Sequence, residues 1–573
     1  MLTLLLTFQC MQGQTYEEYL RQQQEEFDQF RKEQQKNLEA LRKDYADYVN
    51  QRDKEFSAYL RQEWESFKVF TGEKLPEKPK PKVIPPYKPV PAGQVNRIPA
   101  LAPRIEGPGV ILRLARIPMI QKPESPASYL ENISFTYCGE KVEVELEPAF
   151  RTIPVKQEGK EGIAGYWDAA SGKSYNYLME QLMAISRQFN VNDYGYFMLV
   201  SNLADAIYML PGQERQKLLF TWFLMVRSGY DVRIAFNNNE MALLLPSFHT
   251  LYGKPYLTIG NIKFYLMTPF TGQKIMTYEK RYDDANLPLD FSVQRAMNFT
   301  TLPVSKKVSL EFGGKTYSFD IQYDPGTIEF YRNYPQVDPE VYFDAAVSVV
   351  TKESIREAFS PVLQQMKQEE AVNLLLSFVQ HGFNYKPDPE QFGYEKFFFA
   401  EELFYYPAAD CEDRSVLFSY LVRNLLSLKM VGLESPDHMF TAVRFTTEAF
   451  GDYLTYKGDM YIVADPTYIN APFGRTMTTV NLVDARIIPL QNPEEEALTI
   501  NAAAELATKA GIRKAGSTPN LVIDASGNFF VTGYFAGTLD LGAFHGKTYV
   551  DGQAYIVARL DKEGRLLWAD HIP

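Results

Sequence analysis

The chain has little of what several common protein classes require. Three cysteines among 573 residues are too few for a disulfide framework. No region holds enough cysteine or histidine for a zinc site, and no cofactor is expected. Acidic residues outnumber basic ones by 71 to 59, and no basic patch recommends nucleic acid as a partner. No apolar run is long enough to span a membrane.

What the chain does have indicates several folded domains. Hydrophobic residues make up 45% of it and aromatic residues 14%, which excludes a mostly disordered protein. A length of 573 residues is too great for one hydrophobic core. We therefore expect a multidomain α+β protein.

The first 14 residues, MLTLLLTFQCMQGQ, look like the end of a secretory signal whose basic part is missing. Cleavage near Gly13 or Gln14 would then leave an exported protein that is periplasmic, outer-membrane-associated or extracellular in a bacterium. A lipid anchor on Cys10 is an alternative, although the residues before it fit a lipoprotein signal poorly. A frayed apolar N-terminus is the plain alternative.

Residues 15–72 carry an apolar residue at every eleventh position, in the series Tyr16, Phe27, Leu38, Val49 and Leu60. An 11-residue period keeps an apolar stripe nearly straight along a helix, so a long α-helical rod is predicted. The rod could be a solvated spacer or a coiled coil that self-associates. Proline then dominates residues 73–104, which predicts an extended linker.

The middle of the chain repeats itself. Fragments beginning at Asp437, Val416 and Phe392 match fragments 198 residues earlier, and one ending at Pro466 matches one ending at Pro269. Upstream, VSLEFGGKTYSFDI from residue 308 resembles ISFTYCGEKVEVEL from residue 133. Ordered matches at nearly constant offset predict a duplicated α+β domain, over 105–300 and 301–500. Each copy is predicted to run from a β-hairpin through several helices into strands.

The tail consists of a linker over 501–516 and short strands over 517–573, separated by Gly and Asp turns. The stretches LVIDASGNFFVTGYF and AYIVARLDKEGRLLW resemble one blade of the bacterial SBBP-type β-propeller repeat. One blade cannot bury its faces alone, so it would need to dock on a neighbour.

Three residues in the second copy could form a catalytic site. Cys411 precedes an apolar periodic run, His438 comes 27 residues later at the start of a strand, and Asp465 ends another strand after a further 27. A thiol at a helix N-terminus has its pKa lowered by the helix dipole. A cysteine nucleophile also needs a base, and the base needs an orienting acceptor.

The stretches DCEDRSVLFSYLVRNLL, PDHMFTAV and GDMYIVADPTY resemble those of the transglutaminase-like (papain-like) cysteine hydrolases and proteinases, over about residues 390–475. The resemblance implies that Cys411 attacks a carboxamide or peptide carbonyl, His438 transfers the proton and Asp465 holds the imidazole. It also implies a protein or peptide substrate and a thioacyl intermediate that passes to water or to an amine. The oxyanion would face the Cys411 N–H and a second donor, for which Tyr405 and Tyr406 are candidates.

Departures from the family pattern are small. Ala409 replaces the usual glycine before DCED, and Met439 and Phe440 replace the usual small and aromatic pair after the histidine. In the first copy, the same offsets place Gln213, Glu240 and Thr268 at the three positions, so that copy is expected to be degenerate and without catalysis.

Each of these residues also has an ordinary structural interpretation. Cys411 could be a buried small side chain, His438 a satisfied histidine and Asp465 a turn residue before proline. Asp410 and Asp413 could bind Ca²⁺, but solvation or the helix N-terminus explains them more simply. The alternative to an enzyme is a non-catalytic extracytoplasmic scaffold in which both copies are binding modules.

Overall fold

The protein is described by a computed structural model over residues 16–75, 86–88, 129–155, 159–237, 240–268 and 273–492, and over six strands between 520 and 572. For residues 16–30, 34 and 38 and for those six strands, only the backbone is described. The predicted signal remnant over 1–14 and the linker over 501–516 lie outside the described residues, as does most of the Pro-rich segment.

The elements of the first half begin with a long helix and a short strand and continue as a hairpin, four helices and five strands. In chain order they are α1 (Tyr16–Gln62), β1 (Glu65–Lys68), β2 (Glu131–Tyr137), β3 (Glu140–Leu146), α2 (Gly159–Ser171), α3 (Asn176–Gln188), α4 (Asp193–Ile207), α5 (Glu214–Arg227), β4 (Arg233–Asn237), β5 (Glu240–Ser247), β6 (Tyr256–Ile259), β7 (Ile262–Leu266) and β8 (Lys274–Thr277). We call β2 to β8 the first unit.

The second half repeats this plan with more helices. Its elements are β9 (Val304–Phe312), β10 (Lys315–Tyr323), α6 (Pro325–Arg332), α7 (Pro339–Phe343), α8 (Val349–Leu363), α9 (Gln368–Gly382), β11 (Asn384–Tyr385), α10 (Asp388–Gln391), β12 (Ala408–Ala409), α11 (Cys411–Leu426), β13 (Lys429–Ser435), β14 (His438–Arg444), β15 (Tyr453–Tyr456), β16 (Asp459–Ala464) and β17 (Arg486–Pro489). We call β9 to β17 the second unit. The fold is therefore mixed α and β with several sheets, as expected at that level.

Each unit has its own antiparallel sheet. The first has the order β1-β8-β4-β5-β7-β6, and the second has the order β15-β16-β14-β13-β17. The first sheet curls until its edges nearly meet, because Phe70, just after β1, pairs with Tyr256 of β6. Apolar side chains of the second sheet pack on α11 from one face and form a separate small core on the other.

The two sheets have the same strand order when β4 to β8 are matched in sequence to β13 to β17. Their registers also agree. Leu244 of β5 pairs with Leu266 of β7, and Ala442 of β14 pairs with Val463 of β16. The first members of these pairs are 198 residues apart and the second members 197, which are the offsets found in the sequence.

The hairpins and the helices that follow them keep a different offset. Ile133 pairs with Val144 in one hairpin and Val308 with Phe319 in the other, a shift of 175 residues. Helices α4 and α9 each contain 15 residues and begin 175 apart. The offset then grows because residues 383–410 separate α9 from α11, whereas only 208–213 separate α4 from α5. We call 383–410 the inserted segment.

The inserted segment shows that one matched fragment was wrong. Tyr194 lies inside α4, whereas Phe392 of the supposed partner lies just after α10 in the inserted segment. The match between YGY and FGY is therefore a coincidence of composition. The remaining matched fragments fall on corresponding elements.

The predicted rod differs from the structure at its C-terminal end. The helix ends at Gln62 instead of continuing to 72, because Trp64 packs its ring on Phe236 and Tyr278 and the next residues form β1, which pairs with β8. The end of α1 is not a free spacer. This end of the helix packs on α2 and buries Val49, Phe56 and Leu60.

Self-association through the helix stays a prediction. It concerns the part of α1 before Val49, where Leu41 is exposed. Of the Pro-rich segment, Tyr87 is described. Its N–H donates to the carbonyl of Ile469, and its ring meets that of Tyr468 edge-on.

The tail forms a four-stranded antiparallel sheet, in the order β18-β19-β22-β23, and a small pair of strands, β20 and β21. Their bounds are β18 (Asn520–Ile523), β19 (Phe529–Phe535), β20 (Thr538–Asp540), β21 (His545–Lys547), β22 (Ala554–Leu560) and β23 (Leu566–Ile572). A four-stranded antiparallel sheet has the size of a propeller blade, and the SBBP-type resemblance stays a prediction.

Candidate functional site

Cys411 is the first residue of α11, as the sequence predicted. Asp410 is the N-cap, and Asp413 completes a capping box by accepting the Asp410 N–H at 3.1 Å. The other oxygen of Asp413 accepts the N–H of Phe398 at 2.9 Å, which ties the inserted segment to the helix start. Both aspartates are buried, so solvation does not explain them, whereas capping does.

The Cys411 side chain is fully enclosed and already has a polar neighbour. Its solvent exposure is 0%, and its Sγ lies 3.0 Å from Oε2 of Glu412, also buried. The thiol is therefore a donor to a carboxylate in this conformation. A negative charge so close opposes the helix dipole, because it disfavours a thiolate.

His438 and Asp465 form a buried pair. Nε2 of His438 lies 2.8 Å from Oδ2 of Asp465, and both side chains are at most 3% exposed. A carboxylate only accepts hydrogen bonds, so Nε2 of the imidazole is the donor in this pair and Nδ1 faces away from Asp465. The ring also stacks on Phe440, with the planes 8° from parallel.

The carboxylate of Asp465 is held from its other side as well. Its Oδ1 accepts the N–H groups of Thr467 and Tyr468 at 2.9 and 3.2 Å. The strand before it is fixed because the Thr441 hydroxyl donates to the carbonyl of Ala464. Asp465 therefore has one oxygen committed to its own turn and one committed to the imidazole.

Cys411 and the His438 strand are joined through a serine. The hydroxyl of Ser415, one turn into α11, lies 2.7 Å from the Cys411 carbonyl and 3.1 Å from the carbonyl of Met439, next to His438. Helix α11 packs directly on β14. Within the described part of the chain, Nδ1 of His438 is buried and has no hydrogen-bond partner. Nδ1 is thus not committed to another hydrogen bond, and its bond to the thiol is not formed in this conformation.

A cluster of four acidic residues lies at the start of α11. Carboxylate oxygens of Asp388, Glu395, Asp410 and Glu412 lie within 4.8 Å of one another, and three of the four residues are buried. Carboxylates are ligands that Ca²⁺ and Mg²⁺ prefer. An acidic cluster alone does not specify an ion, and the backbone N–H of Lys396 already donates to Asp388 at 2.8 Å.

The two tyrosines considered as oxyanion donors have other contacts. The Tyr405 hydroxyl lies 3.5 Å from the guanidinium of Arg332. The Tyr406 ring stacks on Phe398 and lies 5.1 Å from the ammonium of Lys396. In the first contact the guanidinium donates and the hydroxyl accepts, so the contact does not use the hydroxyl proton of Tyr405. The role of either tyrosine as the second oxyanion donor stays a prediction.

The first unit places different residues at the corresponding positions. Gln213 is the N-cap of α5 instead of a nucleophile, and Glu240 begins β5 just as His438 begins β14. Thr268 follows β7, and its hydroxyl is buried without a hydrogen-bond partner in the described structure. None of the three can replace a thiol, an imidazole and a carboxylate in the same roles.

The remaining cysteines and histidines fall elsewhere. Cys138 occupies a left-handed turn position with φ of 49°, where the second hairpin has Gly313 with φ of 58°. Burial raises the pKa of its thiol far above the usual range. His249 contacts Asp290, and burial lowers the pKa of His381. His545 and His571 lie in tail strands whose side chains are outside the described ones, as is Cys10.

Sequence reasoning missed three residues that shape the site. Glu412 was visible in DCED, but nothing in the sequence shows that its side chain turns to the thiol. Gln380 and Arg414 are ordinary polar residues on helices, and only the packing of α9 on α11 gives them a role.

No protein-family model, curated protein or solved structure matches this chain. Among the described residues, no helix has the length and apolar character needed to cross a membrane.

Proposed function

We propose that the protein is an exported bacterial cysteine hydrolase of the transglutaminase-like type, which acts on amide or peptide bonds of protein or peptide substrates. The observation that carries the proposal is the buried 2.8 Å pair of His438 and Asp465, with Nδ1 of the imidazole left without a partner. Cys411 begins the helix that packs on the same strand.

The chemistry follows from these three groups. Nδ1 of His438 takes the proton of the Cys411 thiol, and Asp465 stabilises the imidazolium that results. The thiolate then forms a C–S bond with the substrate carbonyl, and the leaving amine departs with the proton from His438. Water or a second amine next attacks the thioester, gives its proton to the imidazole and restores the thiol. The Cys411 N–H at the helix start would stabilise the oxyanion.

Under this proposal the two units are tandem transglutaminase-like domains, of which the first is degenerate. Their common strand order and register support the duplication. The long helix would then be the tether and the blade-like tail a docking element. The role of the first unit would be structural or substrate-binding.

Labelling with iodoacetamide tests the proposal. A background carrying Cys10→Ser and Cys138→Gly leaves Cys411 as the one thiol in the chain. We expect rapid labelling near pH 6.5 that disappears in Cys411→Ala and slows about a hundredfold in His438→Ala, because a positioned general base contributes at least that much. Labelling no faster than that of free cysteine would contradict the proposal.

The acyl acceptor needs a separate assay. Purified protein is incubated with a peptide library, with and without a primary amine. New termini indicate hydrolysis, and a mass gain that requires the amine indicates transfer. Cys411→Ala is the control for both.

One observation favours the alternative of a non-catalytic scaffold. The Cys411 thiol is 0% exposed and already donates to Glu412. As an enzyme, the protein must therefore open before a substrate reaches the sulfur. If labelling of native protein stays absent while the unfolded chain labels fully, the scaffold function is the better account.

A further inference from the structure

Gln380, in the last turn of α9, lies between the two halves of the proposed catalytic site. Its side chain is 4% exposed. The amide Nε2 lies within hydrogen-bond distance of three carbonyl oxygens, those of Asp465 at 3.1 Å, Tyr468 at 2.9 Å and Ala471 at 3.0 Å. One amide thus closes the whole turn that follows β16.

That turn is the one that orients the acidic residue. Asp465 and Tyr468 are connected in two ways. The Tyr468 N–H donates to Oδ1 of Asp465, and the carbonyls of both residues accept from the Gln380 amide. Fixing the turn leaves Oδ2 of Asp465 directed at Nε2 of His438. The carbonyls of Asp465 and Tyr468 also accept backbone N–H groups within the turn, at 3.3 and 3.0 Å. Removing the amide would therefore take away the bonds that tie this turn to α9, and each lost buried hydrogen bond is costly.

The backbone of the same residue holds the nucleophile helix. Nη1 of Arg414, three residues after Cys411, donates to the carbonyl of Gln380 at 3.3 Å, and Nη2 donates to the carbonyl of Phe383 at 2.6 Å. Arg414 is 1% exposed, and burial lowers its pKa to about 10, although the charges of Tyr385 and Asp410 act in the opposite direction. Residue 380 is therefore the point at which α11 and the Asp465 turn are both attached.

The first unit is an internal comparison. The constant offset of 175 places Asp205 at the position of Gln380. Its side chain is 65% exposed and forms an ion pair with Lys217 of α5 at 2.9 Å. The unit that has Thr268 in place of the acid thus has no buried amide at this position. The buried glutamine occurs in the unit that has the triad.

We propose that Gln380 is a positioning residue, which aligns the Asp465 turn with the helix that carries Cys411. The inference rests on the proposed function. Gln380 acts through Asp465 and does not touch the reacting atoms. Its effect must therefore appear in the pH dependence of the thiol and not as a uniform loss.

Iodoacetamide labelling of Gln380→Met, in the single-thiol background, tests the inference. Methionine keeps the length of the side chain and removes the amide donor. We expect the labelling rate near pH 6.5 to fall about tenfold, because a hydrogen bond of this kind contributes roughly 1 kcal/mol and a displaced acid orients the imidazole poorly. At pH 9.5 bulk hydroxide can take the thiol proton in place of the imidazole, so the rate should stay within about twofold.

Two further variants complete the experiment. Asp465→Asn should remove the effect of Gln380→Met when the two are combined, since one acts through the other. Asp205→Met, the matched change in the first unit, should leave the profile unchanged. If Gln380→Met does not fold, as judged by circular dichroism, Gln380→Asn keeps an amide that is one methylene too short and should show the same pattern with a smaller effect.

The outcomes separate the two claims. If wild type labels rapidly and depends on His438, but Gln380→Met keeps the wild-type profile, the positioning role is wrong and the proposed function stands. A loss that is equal at both pH values also overturns it, because that result indicates general loosening. If wild type itself shows no enhanced labelling, both claims fail.

Discussion

Replacing His249 by glutamine should change how the stability of the protein depends on pH. Nε2 of His249 lies 3.2 Å from Asp290, and Nδ1 lies 3.6 Å from Asp338, which precedes α7 of the second unit. Burial alone would lower the pKa of His249, but the two carboxylates outweigh it and raise the pKa from 6.5 to about 9. Nδ1 is too far from Asp338 for a hydrogen bond, so we attribute that part of the shift to charge alone.

The sign and size follow from linkage. The pKa is higher in the folded state, so the stabilisation is fully present below about pH 6.5 and is lost as the pH rises through 9. A pKa shift of this size contributes at most about 3 kcal/mol to the free energy of unfolding. His249 lies just after β5 of the first unit and faces Asp338 of the second unit, so its loss should loosen the contact between the two units.

Urea unfolding at pH 6, 8 and 10 measures this effect. We expect the free energy of unfolding of His249→Gln to lie up to about 3 kcal/mol below that of wild type at pH 6 and within about 1 kcal/mol of it at pH 10. His381→Gln is the control of opposite sign, because burial lowers the pKa of His381 and its protonation below pH 6.5 costs stability. A gap between His249→Gln and wild type that stays constant from pH 6 to 10 would refute the reasoning.

Three further outcomes are expected. Arg227→Met should lower the free energy of unfolding by about 3–5 kcal/mol in a urea titration, because it leaves the carboxylate of Asp53 on α1 buried and unpaired. Arg61→Met removes one side of a partly exposed ion pair and should lower it by less than about 1 kcal/mol in the same titration. Cys138→Gly should leave the free energy of unfolding within about 1 kcal/mol of wild type, because the loss of a buried side chain is offset by the relief of backbone strain at this left-handed position. It should also leave the labelling of the native protein unchanged. Glu412→Gln should speed labelling of the neighbouring thiol about tenfold near pH 6.5, because it removes the nearest negative charge, and an unchanged rate would show that the carboxylate does not restrain the thiol.

Much of the local structure could be predicted because it depends on residues that are close together in the sequence. The two hairpins alternate apolar and polar residues around Gly turns, and the structure pairs them in the register that the alternation requires. The helix that begins at Cys411 and the strand that begins at His438 were also expected, since caps and periodicity are local signals.

Other features could not be predicted because a partner distant in the chain decides them. Trp64 and the residues after it leave the helix since a strand edge at β8 is available to pair with them. The Tyr194 fragment matched Phe392 by composition, and only the inserted segment shows that they are not equivalent. The Glu412 rotamer, which decides whether the thiol is a donor or a nucleophile at rest, depends on packing around the helix start.

The repeated fragments with their near-constant offset, and the order of Cys411, His438 and Asp465, could be read without any structure, because they are properties of the chain alone. The common strand order and register of the two units agree with the predicted duplication. Three features appear only in the folded chain: His438 and Asp465 meet at 2.8 Å, the thiol is enclosed beside Glu412, and Gln380 ties the turn after Asp465 to the helix. The physical reason is that burial and hydrogen bonding depend on which surfaces pack together. Residues far apart in sequence, such as Gln380 and Ala471, acquire a common role only when α9 meets the turn that follows β16.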